Sequence, residues 1–289
     1  MLRSVSSVTY CVTRFDASGE ALETALGYQC VEEGRVSQAR ASLWNAPAVA
    51  DARYALFGPT SGEDVFLRLV ESEPTPGYAP LRTFGWNAAE LHVADVHDLA
   101  ARLTRSPYTI LGGPRDLLNN GTVVAVQAKG PSDEVLYLTQ ISSDNMHRTY
   151  GKAESDVGRV FIVVLGCSDM DTTREFYSKL STATPRPRKM GIRVLAAAHG
   201  LDPMTARFPI AAAVLDNQFR IEFDGYPDSA IARPARPDQL PPGLAMVTFT
   251  VDSLDSMAGV TPHEVDGRRL AMLRGPDGEW LELVERASG

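Results

Sequence analysis

The sequence has 289 residues and a mass of 31.3 kDa, which is enough for two average domains. Hydrophobic residues make up 44% and charged residues 22%, a composition that excludes a disordered or fibrous protein. The formal net charge of −8 disfavours binding to nucleic acids or to anionic membranes. No apolar run approaches the ~20 residues of a membrane helix, and the N-terminus lacks the apolar segment of a secretory signal.

The three cysteines are widely spaced along the chain and form no CxxC pair. This pattern excludes a zinc–cysteine site and is typical of a protein kept in a reducing compartment. We therefore expect a cytoplasmic protein that binds a small molecule and that has neither a nucleic-acid nor a membrane partner.

Four segments share one pattern, in which an alternating strand is followed by a polar break and an amphipathic helix. The breaks align at Arg14, Asp95, Asp169 and Ser253. Asp or Ser directly before an apolar helix is typical of an N-cap. Further β-rich stretches follow each helix, including RVLAAAH (193–199) in the third unit. The sequence thus predicts four βαβββ units, of which the fourth has room for only a short helix and two strands.

Connectors without periodicity separate the units. Residues 71–86 and 226–243 are rich in proline, whereas residues 142–158 are polar. We therefore predict two domains of two consecutive units each. The predicted divisions are a first domain at 1–142 with units 1–72 and 86–142, a linker at 143–157, and a second domain at 158–289 with units 158–226 and 243–289.

This organisation resembles the vicinal oxygen chelate (VOC) superfamily, which includes glyoxalase I, bleomycin-resistance proteins and extradiol ring-cleaving dioxygenases. The specific matches are VVLGCSDMDTTREFY (163–177), similar to the family's first strand and helix, and RGPDGEWLELVE (274–285), similar to its closing hairpin. The resemblance covers nearly the whole chain. It implies an α+β fold with four βαβββ modules paired into two domains, each an open, curled, mixed β-sheet with a central cleft.

The resemblance also implies two metal-ligand positions in each unit, one on the first strand and one on the last. The first-strand positions hold Ser7, Ala88, Ile162 and Met246, and the last-strand positions hold Arg68, Tyr137, Glu222 and Glu282. Ala88 and Ile162 have no donor atom, and the thioether of Met246 suits soft metals only. A catalytic metal usually needs three protein ligands. We therefore expect that the usual metal site is lost and that no cofactor is bound.

One arrangement would restore a metal site. A divalent Fe, Mn or Zn ion could be held by Glu222 and Glu282 if a loop brought His199 or His263 to them. Each of these histidines is more often a surface or capping residue than a ligand.

Residues two apart on a strand share a face, so each predicted cleft gathers polar groups. The N-terminal cleft is expected to hold Ser7, Phe66, Arg68, Glu90, His92 and Tyr137. His92 would act as a general base whose pKa is raised by the neighbouring carboxylate of Glu90. The alternative is that Arg68 only neutralises Glu90 across the sheet.

The C-terminal cleft is expected to hold Glu222 and Glu282 beside Arg220, Trp280 and Met246. Two carboxyls in a partly dry cleft do not both ionise readily, so the pKa of one should rise and the pair could move protons without a metal. The alternative is a salt bridge that Arg220 makes with one carboxylate. The predicted catalytic residues are Glu222, Glu282, His92, Glu90 and Tyr137, and the predicted substrate-binding residues are Arg68, Arg220, Trp280, Met246 and Phe66.

The resemblance implies three functions. The first is a lyase, isomerase or ring-opening enzyme that acts on a hydrophobic or aromatic oxygenated molecule by acid/base chemistry. The second is a binding protein of the drug-resistance kind that sequesters its ligand without chemistry. The third is an extradiol-type dioxygenase with atypical ligands. The four-unit length favours an enzyme, because the binding proteins are usually two-unit chains that form homodimers.

Overall fold

The computed structural model describes residues 1–216 and 218–286 and contains four successive units, of which the first three have the order strand, helix, strands and the fourth has strands only. The first unit comprises β1 (Leu2–Val12), α1 (Phe15–Leu26), β2 (Gln29–Arg35), α2 (Gln38–Leu43), a 3₁₀ turn (Pro47–Val49), β3 (Arg53–Gly58) and β4 (Phe66–Glu71). The second comprises β5 (Gly85–Val93), α3 (Val96–Leu103), β6 (Thr109–Asp116), β7 (Val123–Lys129) and β8 (Val135–Ile141), and it is followed by α4 (Asp144–Tyr150). The third comprises β9 (Val157–Cys167), α5 (Met170–Ser178), β10 (Arg188–Met190), α6 (Arg193–Ala198), β11 (Phe208–Val214) and β12 (Arg220–Gly225). The fourth comprises β13 (Gly243–Val251), β14 (His263–Val265), β15 (Arg268–Arg274) and β16 (Trp280–Glu285).

The elements differ from the prediction at two places. The stretch RVLAAAH forms α6 rather than a strand, because leucine and alanine favour a helix over an extended chain. The fourth unit has three strands after β13, and residues 253–260 form turns instead of the expected short helix. Gly259 and Pro262 follow closely there and disfavour a continuous helix.

The two sheets do not pair the units as predicted. Sheet one has the order β14-β15-β16-β13-β1-β4-β3-β2, and sheet two has the order β10-β11-β12-β9-β5-β8-β7-β6. Unit one therefore shares a sheet with unit four through the antiparallel pair β1 and β13, while unit two joins unit three through β5 and β9. The predicted linker, residues 143–157, contains α4 and connects two strands of the same sheet.

The strand register shows that the first-strand and last-strand positions named from the sequence occupy equivalent places in the two sheets. In sheet two, Ala88 lies opposite Val164 and Ile162 lies opposite Glu90. In sheet one, Ser7 lies opposite Thr248 and Met246 lies opposite Thr9. On the last strands, Tyr137 is beside Glu90, Glu222 beside Val164, Arg68 beside Thr9, and Glu282 beside Thr248. Because side chains alternate between the faces of a strand, all eight aligned positions share the cleft-side faces of their sheets.

The opposite faces of both sheets pack into one shared hydrophobic core together with α1, α3 and α5. Hydrogen bonds cross this core between the sheets. Trp86 Nε1 donates to the Trp280 carbonyl at 2.8 Å, and the Tyr10 hydroxyl donates to the Val135 carbonyl at 2.8 Å. Each sheet consequently has one face in the core and one facing its own cleft, called cleft one and cleft two after the sheets. Among the described residues, no helix has both the length and the apolar character needed to span a bilayer.

Candidate functional site

Cleft one is filled by the protein's own chain. The segment between β2 and β3, residues 36–52, folds over sheet one through α2 and the 3₁₀ turn. Trp44 from this segment is 1% exposed and belongs to a buried cluster with Met246 and Trp280 of the sheet. The predicted substrate-binding residues Met246 and Trp280 therefore contact the covering segment.

Glu282 lies at the centre of this filled cleft and is fully enclosed. Its carboxylate accepts hydrogen bonds from Thr248 Oγ1 at 2.7 Å and Trp44 Nε1 at 2.8 Å, and it pairs with Arg68 at 3.2 Å and Arg40 at 3.4 Å. Burial alone would raise the pKa of Glu282, but the two guanidinium charges and the two hydrogen bonds hold that pKa below its ordinary value. Glu282 is thus an ionised structural group.

Arg68 occupies one of the aligned last-strand positions, where it places a positive charge directly against Glu282. It also donates to the Thr9 hydroxyl at 3.3 Å. The alternative in which Arg68 neutralises Glu90 does not occur, since Glu90 belongs to sheet two. Phe66 lies beside Ser7 in sheet one, and Ser7 donates to the Thr248 hydroxyl at 2.8 Å. The polar groups of cleft one are therefore bonded to one another.

Cleft two is open and has a volume of about 840 Å³, within the range of small-molecule sites. Sheet two forms its floor, and α6, α4 and the loops at the sheet edges contribute to its walls. The predicted residues Glu90, Tyr137, Arg220 and Glu222 all line this cleft. They come from units two and three, so the site combines residues from both predicted domains.

Four polar side chains form a floor cluster at cleft two. Glu90, Tyr137 and Glu222 line the cleft, and the buried Asp224 lies two residues after Glu222 on the same strand face. Burial raises the pKa of Glu90 to about 7, partly opposed by the Thr139 hydroxyl, which donates to its Oε1 at 2.6 Å. Burial and the nearby charge of Asp224 raise the pKa of Glu222 well above its ordinary value. Burial and the charge of Glu90 raise the pKa of Asp224 to about 7.

Glu222 and Asp224 lie two residues apart on one face of β12, and burial together with the charge of Asp224 raises the pKa of Glu222, which favours its protonated form. Glu90 retains a hydrogen-bond donor that stabilises its ionised form. The cluster therefore presents one protonated and one ionisable carboxyl to the cleft near neutral pH, which are the two states that acid/base catalysis requires.

Two atoms of the floor cluster have no hydrogen-bond partner among the described residues. They are the Tyr137 hydroxyl and Asp224 Oδ1, both buried. Buried polar atoms are nearly always bonded, and Tyr137 lines the cleft, so its hydroxyl is available to a water molecule or a ligand. Burial, followed by the charge of Asp224, raises the pKa of Tyr137, which keeps its hydroxyl protonated and able to donate.

His92 is not placed as a base in the cleft. Its ring is 1% exposed and stacks on Phe161 with centroids 3.8 Å apart, while its Nε2 lies 3.0 Å from the Tyr150 carbonyl. Burial and the charge of Arg159 lower its pKa to about 3, whereas the sequence predicted a raised pKa. His92 is a neutral residue beneath the cleft wall, because burial and the nearby charge of Arg159 disfavour its charged form.

The expected pair of Glu222 and Glu282 does not form, since the two residues lie in different sheets. Arg220 and Trp280 are separated for the same reason. Arg220 stacks on Tyr150 at 4.3 Å and donates to the Gln218 carbonyl, and no ion pair joins it to Glu222 within residues 1–216 and 218–286.

The residues present do not fit the divalent metal that the fold implies. In cleft two the first-strand positions are Ala88 and Ile162, which have no donor atom. His199 is bonded through both ring nitrogens to Ser229 and the Leu81 carbonyl, and His263 is exposed on sheet one. No group of three or more His, Cys, Asp or Glu side chains in the described part of the chain is arranged to hold a metal ion.

Sequence reasoning missed Asp224 and Thr139, both of which contact the predicted carboxyls. The alternation of Arg220, Glu222 and Asp224 on one strand was the signal for Asp224, because these three residues share a face. Thr139 lies two residues after Tyr137 and could have been found in the same way.

No protein-family model and no curated protein sequence matches this chain. Solved structures do match over nearly its whole length. Glyoxalase I from Zea mays has a TM-score of 0.63 at 14% identity, covering 98% of this chain and 92% of that one. A variant of the same enzyme gives a TM-score of 0.65 at 16% identity, with 98% and 92% coverage. A putative dioxygenase from Bacillus subtilis has a TM-score of 0.62 at 12% identity, with 100% and 86% coverage.

Proposed function

Because the chain has the fold of the vicinal oxygen chelate superfamily, we propose that it is an enzyme whose active site is cleft two. The substrate is an oxygenated small molecule with an apolar or aromatic body, and the reaction is a proton transfer of the lyase or isomerase type without a metal. The observation that carries this proposal is the floor cluster, in which coupled carboxyls and an unpartnered phenol meet inside an open cleft.

Each member of the floor cluster has a role in the proposed reaction. The Tyr137 hydroxyl donates to an oxygen of the substrate, since it has no partner among the described residues. The ionised carboxylate of Glu90 removes a proton from the carbon adjacent to the one that bears this oxygen, and it later releases that proton to solvent. Glu222 returns a proton to the substrate and is reprotonated by solvent, while Asp224 holds its carboxyl in place. Desolvation raises the pKa of Glu90 to about 7, where a general base is most effective, and it raises the pKa of Glu222 well above its ordinary value, which favours the protonated acid.

The proposal is tested by hydrogen–deuterium exchange. Aryl ketones and aryl keto acids are incubated with the protein in D₂O, and loss of the proton next to the carbonyl is followed by NMR. The protein is expected to accelerate exchange in at least one compound. Glu90→Gln and Glu222→Gln should each slow that exchange by about 100-fold or more. The exposed control Glu23→Gln should retain the rate.

Two outcomes would overturn the proposal. Unchanged exchange in both Glu90→Gln and Glu222→Gln would show that the floor cluster does not move the proton. A compound that binds in cleft two but is recovered unlabelled and unchanged would favour the alternative, a sequestering protein. The apolar walls of the open cleft support that alternative, since they could retain a ligand without chemistry.

A further inference from the structure

The rim of cleft two is cationic although the chain as a whole is acidic. The charged residues that line the cleft are Arg115, Arg186, Arg188, Arg193 and Arg220, with Glu90 and Glu222. The two carboxyls lie on the floor, where their raised pKa values reduce their negative charge near neutral pH. The cleft therefore presents an excess of positive charge to solution.

Most of these arginines form no ion pair with carboxylates of the described chain. Within residues 1–216 and 218–286, no carboxylate lies at ion-pair distance from Arg115, Arg186, Arg188 or Arg193. Several arginines elsewhere are paired, as Arg269 is with Asp255 and Glu285. A guanidinium does not lose its proton near neutral pH, so its charge must be balanced from outside the chain.

Two of the rim arginines come together from different units. Arg115 is at the end of β6, and Arg193 begins α6. The two elements pack closely, because a Cβ added at Gly112 would lie 3.0 Å from Val194. Arg115 is partly buried, and burial followed by the charges of Arg193 and Arg207 lowers its pKa. Like charges held together at a cleft mouth favour a bound anion.

We propose that Arg115 and Arg193 bind an anionic group of the substrate, whose apolar body extends along the cleft toward the floor cluster. Guanidinium groups match the oxygens of a carboxylate, sulfonate or phosphate in paired hydrogen bonds. The cleft walls between rim and floor are apolar, with Ile162, Ile192 and Val194 among them. This inference rests on the proposed function, because it names the class of substrate that cleft two receives.

The test uses two dyes that differ only in their charge. 8-Anilinonaphthalene-1-sulfonate has an aromatic body with a sulfonate, and N-phenyl-1-naphthylamine is the same body without it. Fluorescence titration measures the Kd of each dye for the wild type, for Arg115→Gln combined with Arg193→Gln, and for the exposed control Arg105→Gln. Neither dye reacts, so the measurement is separate from any failure of the proposed catalysis.

The double variant is expected to weaken binding of the sulfonate dye about tenfold or more while changing the Kd of the neutral dye less than about twofold. The control should match the wild type. Raising the salt concentration should weaken only the sulfonate dye, since screening acts on charge. Equal loss of both dyes, or no loss of either, would overturn the proposal. Retained binding of the neutral dye also shows that the variant has folded.

Discussion

At the scale of single residues, the floor cluster makes stability depend on pH. The folded-state pKa values of Glu90, Glu222 and Asp224 are all raised, mainly by burial. A group with a raised folded pKa stabilises the protein below its unfolded pKa, and that contribution is lost as the pH rises through the folded pKa. Here the loss begins above about pH 4 and continues beyond pH 7.

Glu222→Gln should therefore stabilise the protein more at pH 8 than at pH 5. The amide cannot ionise, and its NH₂ group can still donate to Asp224. We expect a gain of about 1 kcal/mol or more at pH 8, measured as the thermal midpoint and unfolding enthalpy at both pH values. Glu23→Gln, on the exposed face of α1, serves as the control. A stability difference that does not change with pH would contradict the raised pKa of Glu222.

Glu282, the buried carboxylate of cleft one, has a lowered pKa, in contrast to the floor cluster, because Arg68 and Arg40 balance its charge. Arg68→Met should destabilise the protein by about 3 kcal/mol, since it removes one of the two cations that hold Glu282 ionised. Adding Glu282→Gln should recover part of that loss by removing the unpaired charge. Urea unfolding of the two single variants and the double variant measures the coupling. Strictly additive effects would show that the two side chains do not interact.

At the scale of elements, the sequence predicts a helix start best where a side chain caps it. Asp95 accepts from the backbone N–H groups of His97 and Asp98, and Asp169 accepts from that of Thr172, so both predicted N-caps are confirmed. At the other two breaks, Arg14 makes no side-chain cap and Ser253 is followed by turns. Arg14 was aligned by the repeat alone, whereas the N-cap predicted at Ser253 was wrong because turns, rather than a helix, follow it.

Asp95→Ala and Asp169→Ala should each lower the free energy of unfolding by about 1 kcal/mol. The first substitution removes the acceptor of two backbone N–H groups, and the second removes the acceptor of one. Arg14→Ala is the matched control at the start of α1, and its cost should stay below about 0.5 kcal/mol. Thermal unfolding near neutral pH is the appropriate measurement. If all three substitutions cost the same amount, the cap hydrogen bonds do not account for the difference between the breaks.

The segment that fills cleft one illustrates an element that local pattern does not predict. Residues 36–52 have short helical pieces and no long apolar period, so nothing in their sequence indicates that they cover a sheet. Trp44 is buried only because Glu282 and the face of sheet one lie opposite it. Such a contact depends on residues more than 200 positions away, and periodicity carries no information about it.

At the scale of the whole molecule, the repeat predicted the units and their faces but not their partners. The first strand of every unit is free to pair with the first strand of another unit. The prediction paired units that are consecutive in the sequence, since this is the simplest arrangement. The chain instead joins units one and four, and units two and three, through central antiparallel strands. Glu90, Tyr137 and Glu222 lie on the cleft-side face, as alternation along the strands predicts, whereas Asp224 was not predicted. Their grouping was wrong because it depends on which sheets form.

The pairing makes a further prediction about dividing the chain. Fragments 1–142 and 158–289, the two predicted domains, should not fold separately. Fragment 1–142 would expose the long central strands β1 and β5, and fragment 158–289 would expose β9 and β13, in each case without the partner strand. Co-expressed fragments should assemble and recover a cooperative thermal transition, since only the connection between β8 and β9, with α4, is removed. Circular dichroism and size-exclusion chromatography of each fragment alone and of the pair provide the measurement. A fragment that melts cooperatively by itself would show that the two halves are independent domains, despite the strand pairing between them.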